Sequence, residues 1–333
     1  MVKKQRKLTY VQALNEAFHQ MMTADKNVFI IGQGCKSPWY VGGTCDGLIA
    51  RFGEERVIDT PVSENAITGS AVGAAIAGMR PVVVHPRMDF MMYASDPIIN
   101  EASNWHYMSG GAASVPIVIW GIINRGGEQA AQHSQALQAL YAHIPGLKVV
   151  MPATPYDAKG LMIAAIKDNN PVVYIDDRSL YRDEANVPKE IYSVPIGKGA
   201  VRKTGKDITI VGISYMAREA VKAAETLKKD SIDAEVIDMR SVKPLDIPLV
   251  LRSVKKTGRL LIAEAAWHTG GISATIAVEV AANPTAWQAL KAPIARVTLP
   301  NTPAPMSRTL EKAFYIDASN ITQVAKKLLK NKQ

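Results

Sequence analysis

Residues 57–81 read VIDTPVSENAITGSAVGAAIAGMRP. A short apolar run, Val57-Ile58, leads into a proline-bearing turn, and a long alanine- and glycine-rich segment follows. A single acid, Glu64, stands where that segment begins. The pattern predicts a helix over the alanine- and glycine-rich part. Small residues at Gly69, Ala71, Gly73, Ala74, Ala75, Ala77 and Gly78 predict a helix that packs very close to a neighbour. Glu64 has two readings at this point. It is a first-turn acid favoured by the helix dipole, or a carboxylate placed there for chemistry.

Outward from this segment, apolar runs rich in β-branched residues recur at 28–31, 81–84, 115–119, 148–150 and 172–175. Continuous apolar strands point to a parallel sheet covered on both faces. Helical stretches lie between them, over 9–23 and 156–168 for example, and this alternation is that of a layered α/β domain. Residues 180–205 break the rhythm with Pro188, Pro195 and several charges. A second α/β set follows, with strands over 208–211, 233–237, 259–262 and 295–297 and helices over 216–229 and 271–282. We therefore divide the chain into a first domain over 1–185, a linker over 186–205 and a second domain over 206–333.

The 333 residues are 47% hydrophobic, enough for two substantial cores. No apolar stretch is long enough to span a membrane, and no apolar core follows the basic start MVKKQRKLTYVQ. The expectation is a cytoplasmic protein. The net charge of +9 concentrates at the ends, in Lys3, Lys4, Arg6 and Lys7 and in Lys326, Lys327, Lys330 and Lys332. No aromatic residues interleave with these lysines, so solvated termini are expected rather than a nucleic-acid surface. Two cysteines, Cys35 and Cys45, make neither a disulfide framework nor a metal site and read as buried or semi-buried free thiols.

Several motifs follow in order: DTPVSE before the small-residue helix, DPIINEASNWHYMSGG at 96–111, AAQHSQ at 130–135 and PGLKVVMPATPYDAKGLMIAAIKDNNPVV at 145–173. In the second half come EVIDMRSVKPLD, KKTGRLLIAEAAWHTGG and LEKAF. Together they resemble the beta subunits of thiamine-diphosphate-dependent 2-oxo acid dehydrogenases, from about residue 8 to residue 328. The resemblance implies two three-layer αβα domains, a transketolase-like pyrimidine-binding domain and a transketolase C-terminal domain. It also implies an α₂β₂ heterotetramer with the cofactor shared between subunits. The GDG motif that holds the diphosphate and Mg²⁺ does not occur in these residues; in this family it lies on the alpha subunit.

By the same resemblance, Glu64 matches the carboxylate that binds the aminopyrimidine ring nitrogen and promotes its imino tautomer. Such a bond is short, charge-assisted and kept dry. Phe90 matches the aromatic residue packed on that ring, and a core phenylalanine is the competing reading. Val62 lines the same pocket. His133 matches the histidine of the AAQHSQ loop, with a role in proton transfer or in orienting the acceptor. AAIKDNNP resembles a monovalent-cation loop, with carbonyls of Ile117, Ala165, Ile166 and Asp168 as ligands and Asn170 nearby. Oxygen ligands of this kind suit K⁺. A helix end capped by Asn169 or Asn170 reads equally well there, and the two are compatible.

The departures matter too. Gln33 replaces an acid that many members carry, an acid tied to coupling of the two active sites. HPRMDF at 85–90 brings His85 and Arg87 toward the pocket, and GIINRGGEQ at 121–129 adds Arg125 and Gln129. Lys291 stands where many members have the aspartate of a surface that docks a lipoyl acyltransferase core. Arginine presents a planar fork suited to carboxylate or phosphate. Arg87 and Arg125 are therefore candidate substrate ligands, the alternatives being pairing with Asp89, with Glu128 or with the alpha subunit. Two activities are weighed: oxidative decarboxylation of a 2-oxo acid with acyl transfer to lipoyl, and two-carbon transfer by a split transketolase. A cofactor-free scaffold is disfavoured by the presence of Glu64, Phe90 and His133.

Overall fold

The computed structural model describes residues 6–330. Lys3, Lys4 and Lys332 of the basic termini lie outside the described residues. The chain divides into two compact units. The first runs to Arg125 and resumes over Leu140–Ile196; the second holds Gly126–Ala139 and the chain from Gly197 onward.

The sheet of the first unit contains β1 (Val28–Gly32), β2 (Val57–Asp59), β3 (Arg80–His85), β4 (Val118–Ile123), β5 (Lys148–Val150) and β6 (Val172–Asp177). They run in the order β5-β6-β4-β3-β1-β2, every pair parallel. Burial of every residue of β4 and β6 explains the unbroken apolar runs, since both faces of a parallel sheet are covered. β4 begins at Val118, later than the run from Val115 suggests. Pro116 has no amide proton for a ladder, and pairing starts beyond it.

Helix α1 (Tyr10–Ala24) opens with a capping box: Gln12 N donates to Thr9 Oγ1, and the Gln12 side chain accepts from Thr9 N. Its buried face is Tyr10, Leu14, Ala17, Phe18 and Met21, the three-to-four spacing of one helix side. Helix α2 (Glu64–Ile76) is the small-residue helix. Among the described residues its two glycines meet no close neighbour. A Cβ added at Gly69 would lie 4.0 Å from Pro97 Cβ, and one at Gly73 would meet nothing within 4 Å. The face bearing Asn65, Ala66, Ser70, Gly73 and Ile76 is open, because no element of this unit covers it.

Helix α3 (Pro155–Lys167) starts at a Thr154 cap with proline in its first turn. It carries Lys159, whose side chain is wholly buried and whose Nζ donates to Glu16 Oε1 at 2.6 Å, Pro188 O at 2.7 Å and Glu190 O at 2.9 Å. The stretch set apart in the sequence as a linker, 186–205, thus starts as a segment pinned to α1 and α3. It ends in a strand, β7 (Ala200–Lys203).

The second unit's sheet adds β8 (Ile208–Gly212), β9 (Ala234–Asp238), β10 (Leu260–Trp267) and β11 (Ala295–Leu299), in the order β11-β10-β8-β9-β7. Only β7 is antiparallel. The unit's helices include α4 (Tyr215–Lys229), α5 (Ile247–Thr257), α6 (Ile272–Ala281), α7 (Arg308–Phe314) and α8 (Ala318–Lys330). Among the described residues no helix is long and apolar enough to cross a membrane, and no group of three or more His, Cys, Asp or Glu could hold a metal ion. Cys35 and Cys45 are buried free thiols.

Candidate functional site

Ligands of open parallel sheets bind beyond the carboxyl ends of the strands. In the first unit those ends deliver Gln33 from β1, Arg87 from β3, Asn124 and Arg125 from β4, and Asp177 and Arg178 from β6. Two glycines set the approach. A Cβ at Gly32 would stand 2.4 Å from Val84 O, so β1 closes on β3 just before Gln33. A Cβ at Gly121 would meet Met91 Sδ at 2.4 Å, so β4 lets the Met88–Ala94 turn of helix sit down on it.

Glu64 is the first residue of α2 and is buried, 7% exposed. A carboxylate taken from water needs a compensating donor. Gln33 supplies it, Nε2 to Glu64 Oε1 at 2.8 Å. A hydrogen bond to a charged group is worth about 1.5–3 kcal/mol. Val62 beside it is 75% exposed, an aliphatic side chain open to a ligand. Phe90 is half-buried, its backbone N donating to Arg87 O at 3.1 Å, and its ring lies 6.4 Å from that of Tyr93. Its segment packs on α2. One carboxylate acceptor with apolar neighbours fits an aminopyrimidine, a flat ring with one basic edge.

His85 is buried, and its Nε2 lies 3.2 Å from Thr68 Oγ1 of α2. Burial pushes its pKa down to about 4, so it is a neutral ring at neutral pH. Arg125 is paired with Asp177. Its Nε and Nη2 both lie 3.0 Å from Asp177 Oδ2, and both side chains are nearly sealed from solvent. Glu128 instead meets Arg308 at 3.0 Å. Arg87 Nη1 donates to Pro86 O at 2.8 Å. Asn124 Nδ2 reaches the same carbonyl at 3.1 Å, and its Oδ1 accepts from Arg178 Nη1 at 3.0 Å. Burial, then the charge of Arg178, lowers the Arg87 pKa. Asn124, Asp177 and Arg178 escaped the sequence reading, because nothing local marks a strand end as part of a site.

Two of the carbonyls expected around K⁺, those of Ile166 and Asp168, are served by a cation of the chain itself. Arg80 Nη1 donates to Ile166 O at 3.0 Å and Asp168 O at 3.1 Å, and its Nη2 donates to Asn169 Oδ1 at 2.7 Å. Ile117 O accepts from Val172 N, and Ala165 O from Asp168 N. Asp168 caps α3 by donating its backbone N to Ala164 O at 3.1 Å and Ala165 O at 3.2 Å, and its Oδ1 accepts from Asn170 N at 2.9 Å. The cap expected of Asn169 or Asn170 is therefore made by Asp168.

His133 is not grouped with Glu64. It lies half-buried in the segment Gly126–Ala139, which belongs to the second unit. Lys291 is exposed, its backbone N donating to Gly258 O at 2.7 Å.

Comparison with known proteins agrees along the whole chain. Residues 6–184 match the transketolase pyrimidine binding domain and residues 197–321 match the transketolase C-terminal domain. The chain is 44% identical to the acetoin:2,6-dichlorophenolindophenol oxidoreductase subunit beta of Cupriavidus necator, over 98% of each chain. It is 41% identical to the pyruvate dehydrogenase E1 component subunit beta of Rickettsia felis, over 96% of this chain and 98% of that one. A solved split-gene transketolase, an inactive beta4 tetramer, shares the fold at a TM-score of 0.77 and 23% identity, over 98% of this chain and 99% of that chain. With motifs, domains and full-length relatives in agreement, the chain belongs to the beta subunits of thiamine-diphosphate-dependent 2-oxo acid dehydrogenases, built as a transketolase pyrimidine-binding domain followed by a transketolase C-terminal domain.

Proposed function

We propose that this chain supplies the aminopyrimidine side of a thiamine-diphosphate site that is completed by an alpha subunit in an α₂β₂ heterotetramer. The reaction is oxidative decarboxylation of a 2-oxo acid with acyl transfer to the disulfide of a lipoyl group, carried by an acyltransferase core in the cytoplasm. The observation that carries this reading is Glu64: a buried carboxylate at the carboxyl ends of a parallel sheet, with one oxygen held by Gln33. Bound, the cofactor supplies a carbon nucleophile and an electron sink. Glu64 accepts the ring-nitrogen proton bond and keeps the ring oriented. Val62 and Phe90 exclude water from that bond. His133 moves a proton or orients the acceptor. The alpha subunit brings the diphosphate and Mg²⁺ ligands. K⁺ enters this reading as an occupant of the carbonyls of Ile117, Ala165, Ile166 and Asp168, near Asn170, with those of Ile166 and Asp168 shared with Arg80 through their second lone pairs.

The identity of the substrate follows from charge. Arg125 is already neutralised by Asp177, and we assign Arg87, just beyond the end of β3, as the cation that meets a substrate carboxylate. One cation suits a small 2-oxo acid better than a sugar phosphate, and so disfavours the split-transketolase reading. A second reading, acetoin as donor, is favoured by the name of the 44% identical relative. A neutral hydroxyketone needs no arginine at all.

The test is calorimetry of the isolated chain with thiamine diphosphate and Mg²⁺, followed by assay of the complex with the alpha subunit. We expect no tight binding by the chain alone and turnover of pyruvate by the complex. Micromolar binding without a partner would sink the shared-site reading.

A further inference from the structure

The segment Gly126–Ala139 leaves the first unit after Arg125 and re-enters it at Leu140, yet it is packed as part of the second. Its backbone is unusual. Gly126 and Gly127 have φ of 78° and 76°, and two residues with side chains, Glu128 and Ala130, have φ of 63° and 60°. Residues other than glycine hold the left-handed region only where their surroundings impose it.

The surroundings are two buried carboxylates. Glu311 of α7 is 6% exposed, and both its oxygens lie 3.2 Å from Glu128 N, which donates to them. At the other end, buried Gln138 donates from Nε2 to Glu264 Oε1 at 2.8 Å. Glu264, on β10, is wholly buried and also accepts from Ile272 N at 3.2 Å and Ser273 N at 2.8 Å, at the start of α6. It is held there tightly: a Cβ at Gly271 would stand 2.7 Å from Glu264 Oε2. The outer pair Arg308–Glu128 is exposed and adds little. His133 lies five residues from Glu128 and five from Gln138, between the two ties.

We propose that Glu264 and Glu311 are positioning residues: they clamp the two ends of the histidine loop and so fix His133 for its part in the reaction. The C-terminal domain then has a defined task in catalysis. This rests on the role given to His133 above, and the experiment separates the two.

The test uses the complete enzyme with alpha subunit, thiamine diphosphate and Mg²⁺, with pyruvate and a redox dye as probes. Glu311→Leu removes one tie. Gln138→Leu removes the other and leaves Glu264 to cap α6. Hydrogen exchange of the 126–139 amides should rise at least about tenfold in each. The kcat should fall on the order of 10- to 100-fold, as misplacement of a catalytic group does, with the substrate KM unchanged. Glu311→Gln keeps an acceptor oxygen and should recover most of the rate. In a His133→Ala background, Glu311→Leu should cost no further rate. Unchanged exchange in both Leu variants overturns the clamp. An equal loss of kcat with and without His133 overturns its action through the histidine. If His133→Ala alone retains the wild-type rate, the assignment of His133 fails and the proposal falls with it.

Discussion

Glu64 and His133 are held in opposite ways. Glu64 begins a regular helix, and its partner Gln33 arrives from the end of a neighbouring strand. His133 sits in an irregular loop whose backbone is partly left-handed, tied by side chains 126 and 183 positions away in sequence. The first arrangement needs little beyond the strand–turn–helix unit. The second exists only because residues distant in sequence within the same unit offer acceptors for it. A local mutation should therefore disturb the chemistry at Glu64 and leave the fold intact, whereas the loop should be open to distant mutations.

The sharpest way to break the contrast is Glu64→Gln. A glutamine keeps the volume but not the charge. We expect the heterotetramer to assemble and its rate to fall on the order of 10²- to 10⁴-fold. A variant that kept more than about a tenth of the rate would remove Glu64 from this role.

The arginines come next. Arg125→Met strands Asp177 without its cation in a buried position. Unfolding measurements should show a loss of about 3–5 kcal/mol. Arg87→Met should cost about 1.5–3 kcal/mol in kcat/KM for a carboxylate substrate. Equal losses of stability in the two variants would mean that both are structural.

Asp176 tests how dry the strand ends are. Burial, against hydrogen bonds from Trp120 Nε1 and Tyr181 OH, raises its pKa to about 7. A folded pKa above the unfolded one gives stability that is full below about pH 4 and is lost as pH rises through about 7. Chemical denaturation should show the wild type losing up to about 1.4 kcal/mol per pH unit across that window. Asp176→Asn should flatten the profile there. An unchanged slope would show that Asp176 ionises normally.

The smallest effect is expected at Gln33. Gln33→Met removes one donor from Glu64, and the rate of the complete enzyme should fall several-fold, about 1 kcal/mol. A fall as large as that of Glu64→Gln would make Gln33 part of the chemistry rather than its support.

Much of the first unit was legible from the chain alone. The runs at 28–31, 81–84 and 172–175 are strands because a covered parallel sheet demands apolar residues on both faces. Glu64 could be singled out because DTPVSE before a small-residue helix resembles the glutamate motif of the family. The role of Lys159 was not legible, since a lysine in a helix ordinarily stays in water. Its buried ties run to Glu16, Pro188 and Glu190, from separate parts of the chain. The bond from Gln33 to Glu64 spans 31 residues and runs from a strand end to the start of a helix, so no periodicity announces it.

The sequence by itself determined the layered α/β pattern, the family and the residues from which a cofactor half-site can be made. Periodicity and ordered motifs are written in neighbouring residues. Only the tertiary structure decided that Arg125 is neutralised by Asp177, that Arg80 bonds the carbonyls of Ile166 and Asp168 and that the histidine loop belongs to the second unit. Each of these depends on which buried charge finds a partner. That is settled by the packing of segments distant in sequence, where leaving a charge unpaired costs more than any local preference can offset.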